Sequence, residues 1–511
     1  MKKIIRGLVV TALFLGTIQA AKHSDKTFLM PRSQVTNLAM EYTTWHKNLH
    51  KKADTLYNGT IQVVPFYQES ESKNDIGRYF GFNRGATGIE NAISVGPNNL
   101  IPNPRFIIHN QAVVAGGNLV AKYSFRPDQE IYGARLSYYQ DLDGLLDGLF
   151  FKLNTPLVHV QNSMNISLVG ADAKVVIPGA PAGTPQGNFL DYLSGNLENT
   201  ANPNRQAPLQ YAKITGGSHS STGIADIDLQ LGYTFWHKEH TRAALNLALL
   251  IPTGKTPKAD YIFEPIHGNG HHWGVGLGLD ASLILWKGSK RSVELIFAGN
   301  YRYIFEGIEK RTLDFKRPDT AKTPASAGYY ELAGEQGQRP LFPFANVLTR
   351  DIRVTPGHLF DGIINLAFTC KRFVFDVGYN YYAREAERTE LRHLWENDKY
   401  AVAGITYNTT PAAAPDPGFN ILDAGLGATN QAFAYAGAPA NTNAAINAEH
   451  LDFSSITTPS QETHKLYGAL GYSYKKWQYP IMLGVGSSYE WASGNSALEG
   501  WALWGKLGLS W

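Results

Sequence analysis

Apolar and polar residues take turns along most of the second half of the chain. Residues 241–251 place Leu245, Leu247, Leu249 and Ile251 at every second position, with Arg242, Ala244 and Asn246 between them. Residues 223–235 set Ile227, Leu229, Leu231, Tyr233 and Phe235 against Asp226, Asp228, Gln230 and Thr234. Residues 272–286 alternate Trp273, Val275, Leu277 and Leu279 with Gly276, Gly278, Asp280 and Ser282. Residues 292–306 alternate Val293, Leu295, Phe297, Tyr301, Tyr303 and Phe305 with Glu294, Asn300, Arg302 and Glu306. A period of two is the signature of a strand with one apolar and one polar face. It returns at 358–370, 373–384, 463–474, 479–491 and 500–511, and upstream at 60–68, 131–140 and 149 to about 168. The pattern predicts about twelve strands.

Half-buried strands of a soluble sandwich alternate too. Three features separate the two cases. Aromatics stand at the ends of the apolar faces: Tyr233 with Phe235, Tyr301 with Tyr303, Tyr489 with Trp491. Such girdles sit where hydrocarbon meets water. Connections also segregate. Those at 141–148, 236–240, 287–291, 371–372 and 475–478 are short, whereas 69–130, 169–222, 252–271, 307–357 and 385–462 are long, and 492–499 is modest. Membrane barrels have short periplasmic turns and long extracellular loops. Finally, an even number of strands starts and finishes on the same side. The fold class expected is all-β: a transmembrane, antiparallel, up-and-down barrel.

The last strand, GWALWGKLGLSW, ends on Trp511, with Leu507 and Leu509 in step before it. With this strand the chain resembles a Gram-negative outer-membrane β-barrel of the porin-like kind, over residues 60–511, by architecture and not by an aligned motif. The resemblance implies that Leu507, Leu509 and Trp511 form the signal read by the barrel-assembly machinery; phenylalanine is the usual last residue, so Trp511 departs mildly. It also implies closure of this strand on the first, leaving no edge.

The N-terminus adds a compartment. Lys2, Lys3 and Arg6 precede a short apolar run and Thr-Ile-Gln-Ala-Ala, which reads as a signal peptide over 1–20, cleaved after Ala20. No later run of about eighteen apolar residues could form a spanning helix. Residues 21–59 form a separate N-terminal segment, in which Val35, Leu38, Tyr42, Trp45 and Leu49 recur at helical spacing behind Ser33. We expect an amphipathic helix from Ser33 to about Lys52, resting at the periplasmic mouth in preference to plugging the lumen. The single cysteine, Cys370, excludes an internal disulfide. Charged residues make up only 17% and the net charge is +3, which gives no basic surface for nucleic acid. Residues 401–449, rich in Ala, Gly, Asn, Thr and Pro, read as a surface loop able to fold inward.

Candidate chemistry is sparse. PTGKT at 252–256 has Leu249 where a phosphate-binding loop needs glycine, so it is a turn. His267, His271 and His272 could meet a metal, but no carboxylate at helical spacing supports them. No Ser, His and Asp can be placed together for catalysis. We therefore expect no enzyme, no metal and no cofactor. The inward face remains: Asp226, Asp228, Arg242, Asn246, Asp280, Glu294, Arg302, Glu306, Asp361, Asp376, Asn380, Arg384 and Lys506. Twelve strands enclose more than the filled interior of an eight-stranded barrel and less than the channel of a sixteen-stranded porin. Charges there require partners or water. The expected function is a channel for small polar solutes or ions in the outer membrane. The alternatives are a transporter of hydrophobic solutes, or an adhesin acting through its loops. Lipid, the assembly machinery and small solutes are the expected partners, with oligomers possible.

Overall fold

The computed structural model of the chain describes His23 and residues 25–44, 58–71, 73–80, 92–96, 101–102, 121–168, 187–198, 207–316, 328–330, 332–335, 342–402, 446–474, 477 and 479–511. The predicted signal peptide lies outside these residues, as does nearly all of the stretch 401–449.

Twelve strands close into a barrel. They are β1 (Gly59–Ser70), β2 (Asp128–Asp141), β3 (Leu149–Ser163), β4 (Ile227–Lys238), β5 (Thr241–Ile251), β6 (Gly274–Lys287), β7 (Arg291–Ile304), β8 (Gly357–Cys370), β9 (Phe373–Arg384), β10 (Gln461–Tyr474), β11 (Ile481–Ala492) and β12 (Gly500–Ser510). Each pairs antiparallel with its chain neighbours, and β1 pairs with both β2 and β12. The seam runs from Thr60 opposite Ser510 to Ser70 opposite Gly500. Trp511 extends it: its N–H donates to Gly59 O at 3.0 Å and its O accepts from Gly59 N at 3.2 Å. Glycine is required at 59, because a Cβ there would stand 2.2 Å from the Trp511 ring.

Alternation sorts the faces as expected. Leu245, Leu247 and Leu249 point outward while Ala244, Asn246 and Ala248 are buried. Apolar side chains this exposed (63% for Leu247, 58% for Val377, 60% for Val485) suit hydrocarbon and not water. Aromatic pairs border the belt on both sides. Near the short turns are Tyr138 with Trp511, Phe373 with Tyr472, and Trp477 with Tyr479. Near the long loops are Tyr67 with Trp501, Tyr132 with His159, Tyr301 with His358, and His464 with Trp491.

The register of the wall shifts between Ala243 and Leu245 and between Ile284 and Trp286, and a third irregularity lies along β3. The outer half of β3 pairs not with β4 but with an arm, Ser218–Ile224, which leads into β4 through Ala225 and Asp226. From Ile224 to Asp228 the chain takes one more residue than its partner takes from Leu157 to Asn154. This is a β-bulge. Asp226 has φ 62°, and its carboxylate accepts from Gly254 N at 3.1 Å. It therefore fastens the following outer loop and does not line the pore, contrary to expectation. Two strand ends differ as well. β3 stops at Ser163, while Ser167–Leu168 joins an outer sheet, and β7 stops at Ile304, leaving Glu306 exposed beyond it and not on the pore wall.

The long loops fold into a cap with its own core, including Tyr79, Phe125, Tyr192, Phe315, Tyr330, Phe344 and Ile352. Gly307–Thr312, Thr349–Thr355 and Arg388–Leu391 form a three-stranded sheet in it. Beneath this sheet Arg311 is fully buried between Glu309, 2.7 Å away, and Glu387, 2.5 Å away, with its guanidinium 3.8 Å over the Phe28 ring. Burial would raise the Glu387 carboxyl, but Arg311 and Arg384 outweigh it and hold the group at about 2.

Assembly and the cap are tested separately. Leu247→Arg, facing lipid, should cost roughly 2–4 kcal/mol and cut the yield of heat-modifiable barrel. The equally drastic Leu394→Arg, at a loop position 95% exposed, should leave that yield intact. Trp511→Ser should also lower the yield, by removing the ring against Gly59 and Tyr138. Glu387→Ala strands the Arg384 guanidinium and leaves buried Arg311 with Glu309 alone, so the cap should lose about 3–5 kcal/mol and admit protease at neutral pH. Because the folded pKa lies below the ordinary 4.5, the wild-type contribution is complete above pH 4.5 and fades as pH falls toward 2. Proteolysis of the wild-type cap against pH should follow that window.

Candidate functional site: an occupied lumen

The lumen is not an open bore. Residues from Phe28 to Thr44 run through it from the cap toward the short-turn side. They include the helix α1 (Leu38–Tyr42), whose residues are all buried. The predicted helix is thus shorter than Ser33 to Lys52, with 45–57 outside the described residues. Asn37, not Ser33, caps it, through Oδ1 accepting from Met40 N at 3.3 Å. Its place is also corrected: it plugs the lumen instead of resting at the mouth. Charged and apolar walls together account for that position.

Charge holds the plug at two levels. Toward the cap, Arg32 reaches Asp361 at 3.1 Å, Glu490 at 2.8 Å and Asn380 at 3.1 Å, and lies 4.4 Å over the Tyr382 ring. Lys465 shares Glu490 at 2.8 Å. Deeper, Glu41 meets Arg135 at 3.4 Å, Lys152 at 3.7 Å and Asn154 at 3.3 Å. Lys152 continues to Asp280 at 3.3 Å and to the Tyr42 hydroxyl at 3.0 Å. Below α1, the Thr44 N–H donates to Asp376 at 2.7 Å, and Lys506 donates to the carbonyls of Glu41 and Thr43 at 2.9 and 2.6 Å. Thr44 packs so close to the wall that a Cβ on Gly471 would lie 2.6 Å from it. In a low-dielectric interior an unpaired charge is expensive, and each of these wall charges has a plug group or another wall charge as its partner.

The rest of the interface is apolar. Leu38, Met40 and Tyr42 share a cluster with Val64, Phe66, Ile131, Val158, Val160, Ile296, Ile363 and Trp504. Val35 packs with Leu250 and Ile304. Beside the plug are cavities of about 40 and 30 Å³, room for a few waters. On the short-turn side a larger vestibule of about 370 Å³ opens between Tyr42, Arg242, Asp280, Ser282 and Glu294.

Most expected pore residues do face inward, but as plug or wall partners. Asp361, Asn380, Asp376, Asp280 and Lys506 engage the plug or its partner Lys152 directly. Arg302 pairs with Asp228 at 3.1 Å within the wall. Asn246 is buried beside Gly278. Arg242 and Glu294 border the vestibule, and Arg384 turns to Glu387 at the base of the cap. Asp226 and Glu306 are the exceptions already described. Arg32, Glu41, Arg135, Lys152, Lys465 and Glu490 went unpicked. For the last four, the same alternation in β2, β3, β10 and β11 carried the signal. For Arg32 and Glu41 nothing in the pattern does, since neither lies on a strand. Among the described residues, no group of three or more His, Cys, Asp or Glu is placed to hold a metal.

No protein-family model and no curated protein matches the sequence. Solved structures do resemble it. A COG4313 outer membrane channel from Pseudomonas putida F1 is 10% identical with a TM-score of 0.36, over 90% of this chain and 100% of that one. The Pseudomonas putida toluene transporter TodX is 10% identical with a TM-score of 0.34, over 96% and 98%. The outer membrane protease OmpT of Escherichia coli is 7% identical with a TM-score of 0.23, over 91% and 99%. Identities and scores this low carry no argument about function. By its own closed sheet, apolar belt and paired girdles, the chain has the architecture of a transmembrane β-barrel.

Proposed function

We propose that the barrel is a plugged channel for small hydrophobic or amphipathic solutes, gated by the segment 28–44. One observation carries this reading. The plug covers an apolar track on the inner wall, formed by Val64, Phe66, Ile131, Val158, Val160, Ile296, Ile363 and Trp504. A polar pore has no use for such a track, which would hold water poorly once the plug moved. The apolar set comes from Val, Ile, Phe and Trp contributed by β1, β2, β3, β7, β8 and β12, and it gathers only in the closed barrel.

The earlier expectation, passive passage of polar solutes, keeps one support. Buried polar atoms around the plug lack partners among the described residues, including both amide atoms of Gln62, Oδ2 of Asp361 and Oδ1 of Asn365. Such atoms recruit water. A hydrated plug surface also makes a detachable one. We read the chain as a channel and not an enzyme.

The gate can be locked and released. Thr44 Cβ lies 3.3 Å from a Cβ built on Gly484, near the spacing a disulfide spans. In a Cys370→Ser background, the pair Thr44→Cys and Gly484→Cys should cross-link on oxidation. In cells with an intact lipopolysaccharide leaflet, uptake of the apolar dye 1-N-phenylnaphthylamine should fall on oxidation and recover with reductant. Nitrocefin, a polar solute read out by a periplasmic β-lactamase, should change less. Equal uptake in both redox states would remove the plug as a gate, and a change confined to nitrocefin would favour the polar pore.

A further inference from the structure

The plug segment is held differently at its two ends. Its head is fixed through the backbone. Lys26 N and Thr27 N donate to Tyr79 O and Ser455 O at 3.0 and 2.9 Å, and Met30 N donates to Thr458 Oγ1 at 3.2 Å. Phe28 O and Met30 O accept from the Tyr79 hydroxyl and Gln461 Nε2, each at 2.7 Å. Just below, Arg32 stands between Asp361 and Glu490. From Pro31 to Thr36 the chain is neither helix nor strand, with only a turn at Gln34 and Val35. That stretch is a hinge between the head and α1.

The inner end is a strained latch. Thr44 is 2% exposed and has φ 63°, a conformation that a β-branched residue keeps only when its surroundings impose it. Here they are a notch of two wall glycines. A Cβ on Gly471 would stand 2.6 Å from Thr44 Cβ, and one on Gly484 2.7 Å from Thr44 Oγ1. One peptide is clamped beside the notch: its Thr43 C=O accepts from Lys506 at 2.6 Å and its Thr44 N–H donates to Asp376 at 2.7 Å. Once that peptide leaves, Lys506 and Asp376 face each other with opposite charge, so neither state strands them.

The latch belongs to β9, β10, β11 and β12. Across the lumen, β4 to β7 border the 370 Å³ vestibule, and Tyr42 of the plug lines it. His237, Lys238, Glu239, Arg242 and Glu294 make that space polar, so no packed core resists entry. On the latch side, α1 packs with Phe66 and Trp504, and Phe66 also borders the cavity of about 40 Å³ beside Gln68 and Gln129.

We propose that the plug is a one-ended gate. Its head and Arg32 stay in place while α1 and Thr44 swing off the latch strands toward the vestibule, opening a path along β1 and β12 past Phe66 and Trp504. The swing deepens the channel reading above and rests on it for its use.

Cysteine reactivity of the full chain in lipid nanodiscs, in a Cys370→Ser background, tests the swing. Thr44→Cys reports the inner end and Met30→Cys, at a position 1% exposed, reports the head; fluorescein maleimide is the probe. With no further change both should label slowly. Gly471→Ala overpacks the notch without touching a charge, and should speed labelling at 44 by about tenfold or more while 30 stays slow. Ser282→Phe, which narrows the vestibule, should keep 44 slow even beside Gly471→Ala. Equal labelling at 30 and 44 beside Gly471→Ala would mean that the plug leaves as a whole. Fast labelling at 44 that survives Ser282→Phe would mean that it moves elsewhere. Either result overturns the swing, and so does an unchanged rate at 44. If Gly471→Ala fails to assemble, Gly484→Ala makes the same comparison; if neither assembles, the notch cannot be vacated and the proposal falls. Loss of the swing with dye uptake still controlled by the cross-link between positions 44 and 484 would leave the channel standing. An intact swing with uptake indifferent to that cross-link would sink the channel reading and not the swing.

Discussion

Hydrocarbon offers the backbone no water, so every peptide N–H and C=O at membrane depth needs a partner within the protein. For a chain with no apolar helix of spanning length among its described residues, a closed sheet is the available solution. Everything else depends on that closure. It makes β1 the neighbour of β12 and places Trp511 against Gly59. It turns every second side chain inward, where lipid cannot reach. The bulge at Ala225 and Asp226 shows how strict the rule is. Where β5 ends and no longer accompanies the outer part of the β4 side, the arm keeps its ladder with β3, and the Asp226 carboxylate binds backbone of the adjoining loop.

Closure creates the second problem, a lumen lined with charge. Its residues answer it in two ways. Some pair across the wall, as Arg302 does with Asp228. Others wait for a partner from elsewhere, and the N-terminal segment supplies it: Arg32 to the acids of β8 and β11, Glu41 to the bases of β2 and β3. The plug and wall are complementary in sign at each level. Burying such charges is costly unless the geometry is well satisfied, so a plug held by charges and flanked by unpartnered polar atoms is fixed in register without being sealed in. The apolar contacts of Leu38, Met40 and Tyr42 add adhesion without direction. The same wall that grips the plug would face a solute once it shifts.

The cap extends this logic outside the membrane. Its loops are not loose connections, because they share a core of aromatic and aliphatic side chains. Arg311 joins the layers: it stacks on Phe28, at the head of the plug segment, and pairs with Glu387 just beyond β9. The head of the plug segment is therefore tied to the cap, through Phe28 under Arg311 and through the Thr27 hydroxyl donating to Thr312 O at 2.5 Å.

The sequence by itself determined the barrel. A period of two survives in one dimension, so strand number, facing, short turns and even the closing role of Trp511 could be read from Leu245, Leu247 and Leu249 and their counterparts. Most lumen residues were legible for the same reason. Only the tertiary structure decided what fills the lumen. Arg32 and Glu41 lie on no strand, and their partners, Asp361, Glu490, Arg135 and Lys152, stand 94 to 458 residues away. Helical spacing at Val35, Leu38 and Tyr42 says that one side of a helix is apolar, not which apolar surface it meets. That surface is assembled from β1, β2, β3, β7, β8 and β12, none of them more than mildly apolar on its inner face. It exists only once the sheet has closed and brought those strands around one axis.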